Sequence, residues 1–223
     1  MTEKRATDQE IRGAVVAAAQ ALFRNQVMSH SGHANLSGRL SSDEMLLTVD
    51  GMVRDLIPER MARVRLDGTV VEGSLDPTNA EIVAMHAEVY RERAEVGGII
   101  HTHSPHLLAF AMANRALPCR YEALLRFGQA AEAPVVPWAP RGSERSVAGI
   151  VDAIRQNPAT LAVILGNHGV LVFGPTPQAA AALVTVLEEA AEGELAATRL
   201  GGAQEFPPGA LEEVRAAMAR VRA

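Results

Sequence analysis

His101 and His103 are separated by one residue within Gly-Gly-Ile-Ile-His-Thr-His-Ser-Pro-His, residues 97–106. On a strand, side chains two apart leave the same face, so the two rings aim at one point, about 7 Å apart along the chain. Paired neutral imidazoles suit Zn²⁺ or a similar divalent ion. A hydrogen-bonded pair at a strand end is the plainer reading. The chain offers a further ligand in Asn167-His168-Gly169, which interrupts two apolar runs at 161–165 and 170–173. A histidine at a turn between buried strands is poised to point into a shared cleft. The expectation is a site of His101, His103 and His168, with the fourth position left for water or substrate, as catalytic zinc requires.

The rest of the chain must position those rings. Its 223 residues read as a single domain, 1–223. Hydrophobic residues are 48% and charged residues 21%, as in soluble globular proteins. Aromatics are only 4%, so alanine, valine and leucine must fill the core. A net charge of −5, without a basic arm, argues against nucleic acid or an anionic membrane as partner. The single cysteine, Cys119, cannot form an internal disulfide. That fits a reducing compartment, and a cytoplasmic location is expected. The N-terminal segment lacks the apolar core of a signal peptide, and no run approaches the ~18 apolar residues of a membrane span.

Thr7-Asp8-Gln9-Glu10 is a capping box, and Ile11, Val15, Ala18 and Leu22 form the stripe of a helix behind it. Residues 29–39 are polar and small, suited to close approach to a ligand or to a flexible connection. Residues 45–48 read as a strand. Asp67-Gly68, between 63–66 and 69–71, is a hairpin signal. Asp76-Pro77-Thr78-Asn79 caps a helix expected over about 80–93. Ser104-Pro105 opens another helix, 134–138 reads as a strand, and a helix follows Gly142. A long helix over about 178–200 and a last one over about 210–222 close the chain. Hairpins mixed with helices predict an antiparallel or mixed sheet with helices on its faces, not a doubly wound parallel one.

Together these residues resemble the class II aldolase/adducin family, over about residues 11–201. The resemblance rests on Ala34-Asn35-Leu36-Ser37, Thr48-Val49-Asp50-Gly51, residues 86–90, His101-Thr102-His103-Ser104, and Asn167-His168-Gly169-Val170 followed by Gly174. It implies a three-layer α/β/α sandwich around a largely antiparallel sheet. It implies homotetramers with active sites at subunit interfaces. It also implies a divalent metal, zinc or else Mn²⁺, Co²⁺ or Fe²⁺, on His101, His103 and His168. Such a metal polarises a carbonyl and stabilises the enediolate left by C–C cleavage.

The resemblance implies further roles. Asn35, Ser37, Thr48, Gly51, Thr78 and Asn79 would bind substrate. Tyr121 would donate a proton into a neighbouring subunit, unless it is a packed, half-buried tyrosine. A catalytic glutamate is expected four residues before the helix histidine, His86, but Ile82 stands there and Glu81 one place earlier. Five residues apart turns two side chains about 140° away from each other on a helix. Glu81 is thus the candidate acid/base, or else an acidic residue stabilising a helix N-terminus. His86 reads as a hydrogen-bonded helix histidine near the site. Asp50 replaces an expected serine, and its charge would repel a phosphate dianion, which predicts a substrate other than a simple sugar phosphate. Arg141 and Trp138 could line a pocket, which the sequence does not decide.

The expected activity is metal-dependent aldol cleavage of a small hydroxy- or keto-acid or sugar-derived substrate. Decarboxylation on the same scaffold stays open because CO₂ can leave without a base removing a hydroxyl proton. An Fe(II) oxygenase and a non-catalytic, adducin-like oligomeric module are the other readings.

Overall fold

The computed structural model describes residues 6–222. The described residues form eight α-helices: α1 (Asp8–Arg24), α2 (Pro77–Ala80), α3 (Val83–Glu92), α4 (Pro105–Met112), α5 (Glu122–Arg126), α6 (Glu144–Gln156), α7 (Pro177–Ala197) and α8 (Ala210–Arg222). The strands are β1 (Ala34–Arg39), β2 (Glu44–Thr48), β3 (Met61–Arg65), β4 (Val70–Glu72), β5 (Gly98–Thr102), β6 (Val135–Val136), β7 (Ala162–Leu165) and β8 (Gly169–Gly174). They form one sheet in the order β4-β3-β2-β1-β5-β8-β7-β6. Every pairing is antiparallel except β6 with β7. No described helix is long and apolar enough to cross a membrane.

Local chemistry explains the punctuation. Thr7 Oγ1 accepts from Glu10 N at 3.3 Å while the Glu10 carboxylate accepts from Thr7 N at 2.7 Å, the reciprocal capping box that starts α1. Gly68, at φ 95°, turns the β3–β4 hairpin, and Asp67 Oδ1 accepts from Thr69 N at 2.9 Å. Helices cover both faces, giving the predicted sandwich. Ile11, Val15, Leu22, Leu107, Leu183 and Leu187 fill one side. Ile82, Val89, Tyr90, Ile150 and Ile154 fill the other. Each such fully buried side chain contributes about 1.5–3 kcal/mol. Arg39 ties the end of β1 to the end of α3: its guanidinium donates to the carbonyls of Val96, Tyr90 and Arg93 and stacks 4.5 Å over the Tyr90 ring.

Two expectations are corrected. Residues 34–39, read as part of a polar connection, form an interior strand, because β2 and β5 pair with both its edges and burial compensates for its Asn, Ser and Gly. The single helix expected over 80–93 is two helices. Asn79 is buried and donates to Thr48 O at 2.7 Å, anchoring α2 to the sheet, and the chain re-aims at Ile82 (φ −101°, ψ 2°) before α3.

The glycines of the central strands mark where helices press onto the sheet. A Cβ on Gly98 would lie 2.3 Å from Pro177 N and 2.6 Å from Thr176 C, at the start of α7. Those neighbours are backbone and cannot rotate aside. Gly98→Ala is therefore expected to destabilise by about 3 kcal/mol, the upper end of ordinary overpacking costs, as read by urea unfolding. A loss below 1 kcal/mol would show that α7 is free to lift.

Candidate functional site

His101 lies on β5, opposite Asn35 of β1 and Leu171 of β8, and His103 follows just past the strand end. His168 sits in the turn between β7 and β8. Asn167 takes φ 54°, the left-handed conformation asparagine tolerates, and its Oδ1 accepts from Asn114 Nδ2 at 2.9 Å. The turn comes close to the β5 end only because residue 169 is glycine: a Cβ there would stand 2.6 Å from Thr102 O and 2.8 Å from His103 Cδ2.

The ring centroids are 4.8 Å (101–103), 4.6 Å (101–168) and 5.4 Å (103–168) apart. One ligand nitrogen from each of the three lies within 4.8 Å of the others. Two rings are fixed through the backbone. His101 Nδ1 donates to Val170 O at 3.0 Å and His103 Nδ1 to His33 O at 3.3 Å. A carbonyl accepts only, so Nδ1 carries the hydrogen and Nε2 keeps its lone pair. Burial is the main force holding all three neutral: His101 falls well below the usual imidazole range, His103 is lowered, and His168 is lowered to about 4. The positive charge of Arg141 adds to the lowering at His103 and His168. Neutral, oriented imidazoles are what a borderline divalent cation requires, so the donor set fits.

Beneath the triad runs a buried polar chain. Tyr90 OH donates to Ser37 Oγ at 2.9 Å, Ser37 Oγ donates to His86 Nδ1 at 2.8 Å, and His86 Nε2 donates to Asn35 Oδ1 at 2.7 Å. These directions follow from Asn35 Oδ1 being an acceptor only. Asn35 therefore turns its amide NH₂ outward. Burial lowers His86 to about 3 and raises the Tyr90 phenol.

The cleft above the triad, about 440 Å³, collects some of the expected residues and not others. Asn35, Gly51, Thr78 and Asn79 line it with the three histidines, as do His33, Asp50, Asp76 and Arg141. Ser37 and Thr48 are fully buried and do not line it; Ser37 belongs to the chain just described, and Thr48 Oγ1 accepts from Leu36 N at 3.3 Å. Asn79 Oδ1 is buried without a hydrogen-bond partner among the described residues.

Glu81 does not reach the triad. It closes α2, its side chain is 57% exposed, and its nearest cation is Arg141 at 3.9 Å. Tyr121 lies in a separate hollow with Arg120, Glu189 and Glu194, its OH donating to Glu189 Oε2 at 3.4 Å. Asp50 lines the cleft with both carboxylate oxygens engaged: Oδ1 accepts from Met52 N at 2.9 Å and Oδ2 pairs with Arg60. The repulsion expected from Asp50 toward a phosphate is thereby offset. Sequence reasoning missed His33 and Asp76 as cleft residues. The cap signal at Asp76 was visible, but nothing in the chain's order placed it beside the histidines.

The profile of the Class II Aldolase and Adducin N-terminal domain matches residues 14–195. The chain belongs to this family. Among curated relatives, it is similar to a 3-oxo-tetronate 4-phosphate decarboxylase of Escherichia coli (strain K12), 27% identical over 199 residues, covering 86% of this chain and 89% of the relative. The same-named protein of Pectobacterium atrosepticum is 29% identical over 193 residues, covering 83% and 84%. In fold, the chain is similar to L-fuculose 1-phosphate aldolase, with TM-score 0.82 at 20% identity over 97% of this chain and 100% of that one. It is also similar to YgbL of Klebsiella pneumoniae, with TM-score 0.79 at 24% identity over 94% and 99%. The central sheet and flanking helices are thus those of the class II aldolase fold.

Two outcomes test this geometry. Native His86 refuses a proton that the unfolded chain accepts below its ordinary pKa of about 6.5, so stability must fall as pH drops from there toward 3. Urea unfolding of wild type should lose about 2–3 kcal/mol more between pH 6.5 and 4.5 than His86→Gln does; equal losses would show that His86 titrates freely in the native state. Gly169→Ala pushes the turn off the β5 end, and metal affinity, measured by competition with a chromogenic chelator, should fall about 10-fold or more.

Proposed function

We propose that the chain is a divalent-metal-dependent lyase that breaks a C–C bond of a small 3-oxo acid, and that the bond broken is the one to a carboxylate, with release of CO₂. The observation that carries this reading is a cleft where three neutral, converging imidazoles stand with no glutamate among the described residues lining it, and where both lining carboxylates are already bonded, Asp50 to Arg60 and Asp76 to Thr78. A divalent cation on His101, His103 and His168, zinc before Mn²⁺, Co²⁺ or Fe²⁺, supplies a Lewis acid for the substrate carbonyl.

The chain's own groups bind and orient. The Asn35 amide NH₂ donates to a substrate oxygen, and Asn79 Oδ1, otherwise unpaired, accepts from a substrate hydroxyl. Gly51 and Thr78 close that side of the cleft. In the reaction the carbon–carboxylate bond breaks heterolytically, its electron pair passes into the adjacent carbonyl system, CO₂ departs, and the carbon takes a proton from water. No hydroxyl proton has to be removed first. Aldol cleavage does require such a base. Glu81, the expected candidate, faces Arg141 and solvent instead, which is the chemical reason for preferring decarboxylation to the aldol cleavage expected from the sequence. The relatives named as 3-oxo-tetronate 4-phosphate decarboxylases support the same choice.

Tyr121 can enter this scheme only across a subunit boundary, since within one chain it lines a different hollow. We accordingly propose a homotetramer with sites completed between subunits.

The test is a screen, with the metal-loaded protein, of four-carbon 3-oxo acids and their 4-phosphates, which can lose CO₂, beside 4-hydroxy-2-oxo acids, which carry the β-hydroxy carbonyl that aldol cleavage needs, reading CO₂ and aldehyde release separately. CO₂ release without an aldehyde product is expected, and it should fall about 10²-fold or more in His103→Ala, whose metal content should fall with it. Aldehyde release without CO₂ returns the reaction to aldol cleavage. Oxygen uptake that depends on Fe(II), with neither product, removes the lyase reading.

A further inference from the structure

Arg141 follows β6 and precedes α6, and it lines the cleft together with Gly51, Thr78 and Asn79, beside the α2–α3 joint. The triad that shares this cleft is carried by the end of β5 and by the β7–β8 turn. Among the described residues lining the cleft, Arg141 is the one with a permanent positive charge. Two carboxylates share the cleft with it: Asp50 is paired with Arg60, whereas Asp76 keeps its charge and is held below the usual carboxylate range by its hydrogen bonds from Thr78 and, to a smaller extent, by the charge of Arg141. Asp50 is held by Arg60 and by Met52 N, and Asp76 Oδ1 accepts from Thr78 N at 2.9 Å and Thr78 Oγ1 at 2.6 Å.

Arg141 itself is weakly committed. Its contact with Glu81 is long, at 3.9 Å, to a carboxylate more than half exposed, and it donates no hydrogen bond to any described residue. Its backbone, in contrast, is fixed. Gly142, at φ 72°, packs so closely on the α2–α3 joint that a Cβ there would lie 2.6 Å from Glu81 O. A guanidinium carried on an anchored backbone, with its donor fork unspent, at the rim of a ligand cleft, is arranged to receive a planar oxyanion.

We propose that Arg141 is the specificity-determining residue that recognises the carboxylate of an acid substrate and turns it toward the three histidines. This rests on the lyase reading above and deepens it by naming the group that holds the acid's carboxylate. Neutral groups of the same cleft, an amide donor at Asn35 and an amide acceptor at Asn79, then read the hydroxyls and carbonyl of the same molecule. Holding the carboxylate fixes the rotation of the bond that breaks, and it stabilises the bound ground state as well. Loss of Arg141 should therefore raise KM more than it lowers kcat.

The experiment is calorimetric binding to the metal-loaded protein of three unreactive four-carbon probes: threonate, its uncharged counterpart threitol, and threitol 4-phosphate. In Arg141→Gln the preference for threonate over threitol should shrink by about 10- to 100-fold, while threitol and threitol 4-phosphate bind within about threefold of wild type. Arg141→Lys, which keeps the charge and loses the fork, should retain part of the preference. Selective loss of threitol 4-phosphate binding would assign Arg141 to a phosphate and overturn the proposal. An equal loss for all three probes, or no change for any, overturns it too. Because none of these probes reacts, a protein that releases no CO₂ but still shows the threonate effect defeats the lyase reading and leaves Arg141 standing. A protein that releases CO₂ without that effect does the reverse.

Discussion

The antiparallel pairing of β5 with β8 is the constraint from which the site follows. It sets His101 opposite Leu171 and brings the turn at 166–168 level with the end of β5. Register fixes which residues meet, because a slip of one position would send His101 to the opposite face. The approach is close enough for three rings to converge because Gly169 has no side chain to lodge against Thr102 O. The two halves of the sheet, which enclose separate apolar cores on either face, supply the stiffness that holds this meeting point.

The polar chain under the triad extends that logic inward. Burying a tyrosine, a serine, a histidine and an asparagine is costly unless each polar group is paired. Here each finds its partner in sequence, from Tyr90 to Asn35. Ser37 therefore serves the site without touching the cleft: it sets the acceptor at His86, which sets the direction of the Asn35 amide. A serine one position out of register would leave two buried groups unpaired.

What the sequence made legible, and what it hid, divides by the range of the interaction responsible. The capping box of α1, the Asp67-Gly68 hairpin and the His168 turn depend on neighbours within a few residues, and each could be read directly. The residue types of the triad were equally visible, because His-x-His and Asn-His-Gly are local patterns. The strand at 34–39 could not be read from propensity, since its Asn, Ser and Gly are held extended by partners far away in the chain. The break between α2 and α3 depends on Asn79 reaching Thr48 O, 31 positions away. That break decides where Glu81 points, and so the one residue on which the aldol expectation leaned was placed by an interaction the helical pattern does not encode. Arg141 was ambiguous for the same reason: its neighbours in the cleft come from five separate segments of the chain, around residues 33–35, 50–52, 76–79, 101–103 and 168.

The contact of Gly142 with Glu81 O has a mechanical consequence. With no room for even a methyl group between them, the loop before α6 and the joint before α3 cannot slide past one another. α3 and α6 also pack together on the same face of the sheet. The segment bearing the guanidinium and the segment bearing Thr78 and Asn79 are thus locked into a single wall, and it is the span from that wall to the three rings that gauges the molecule between them.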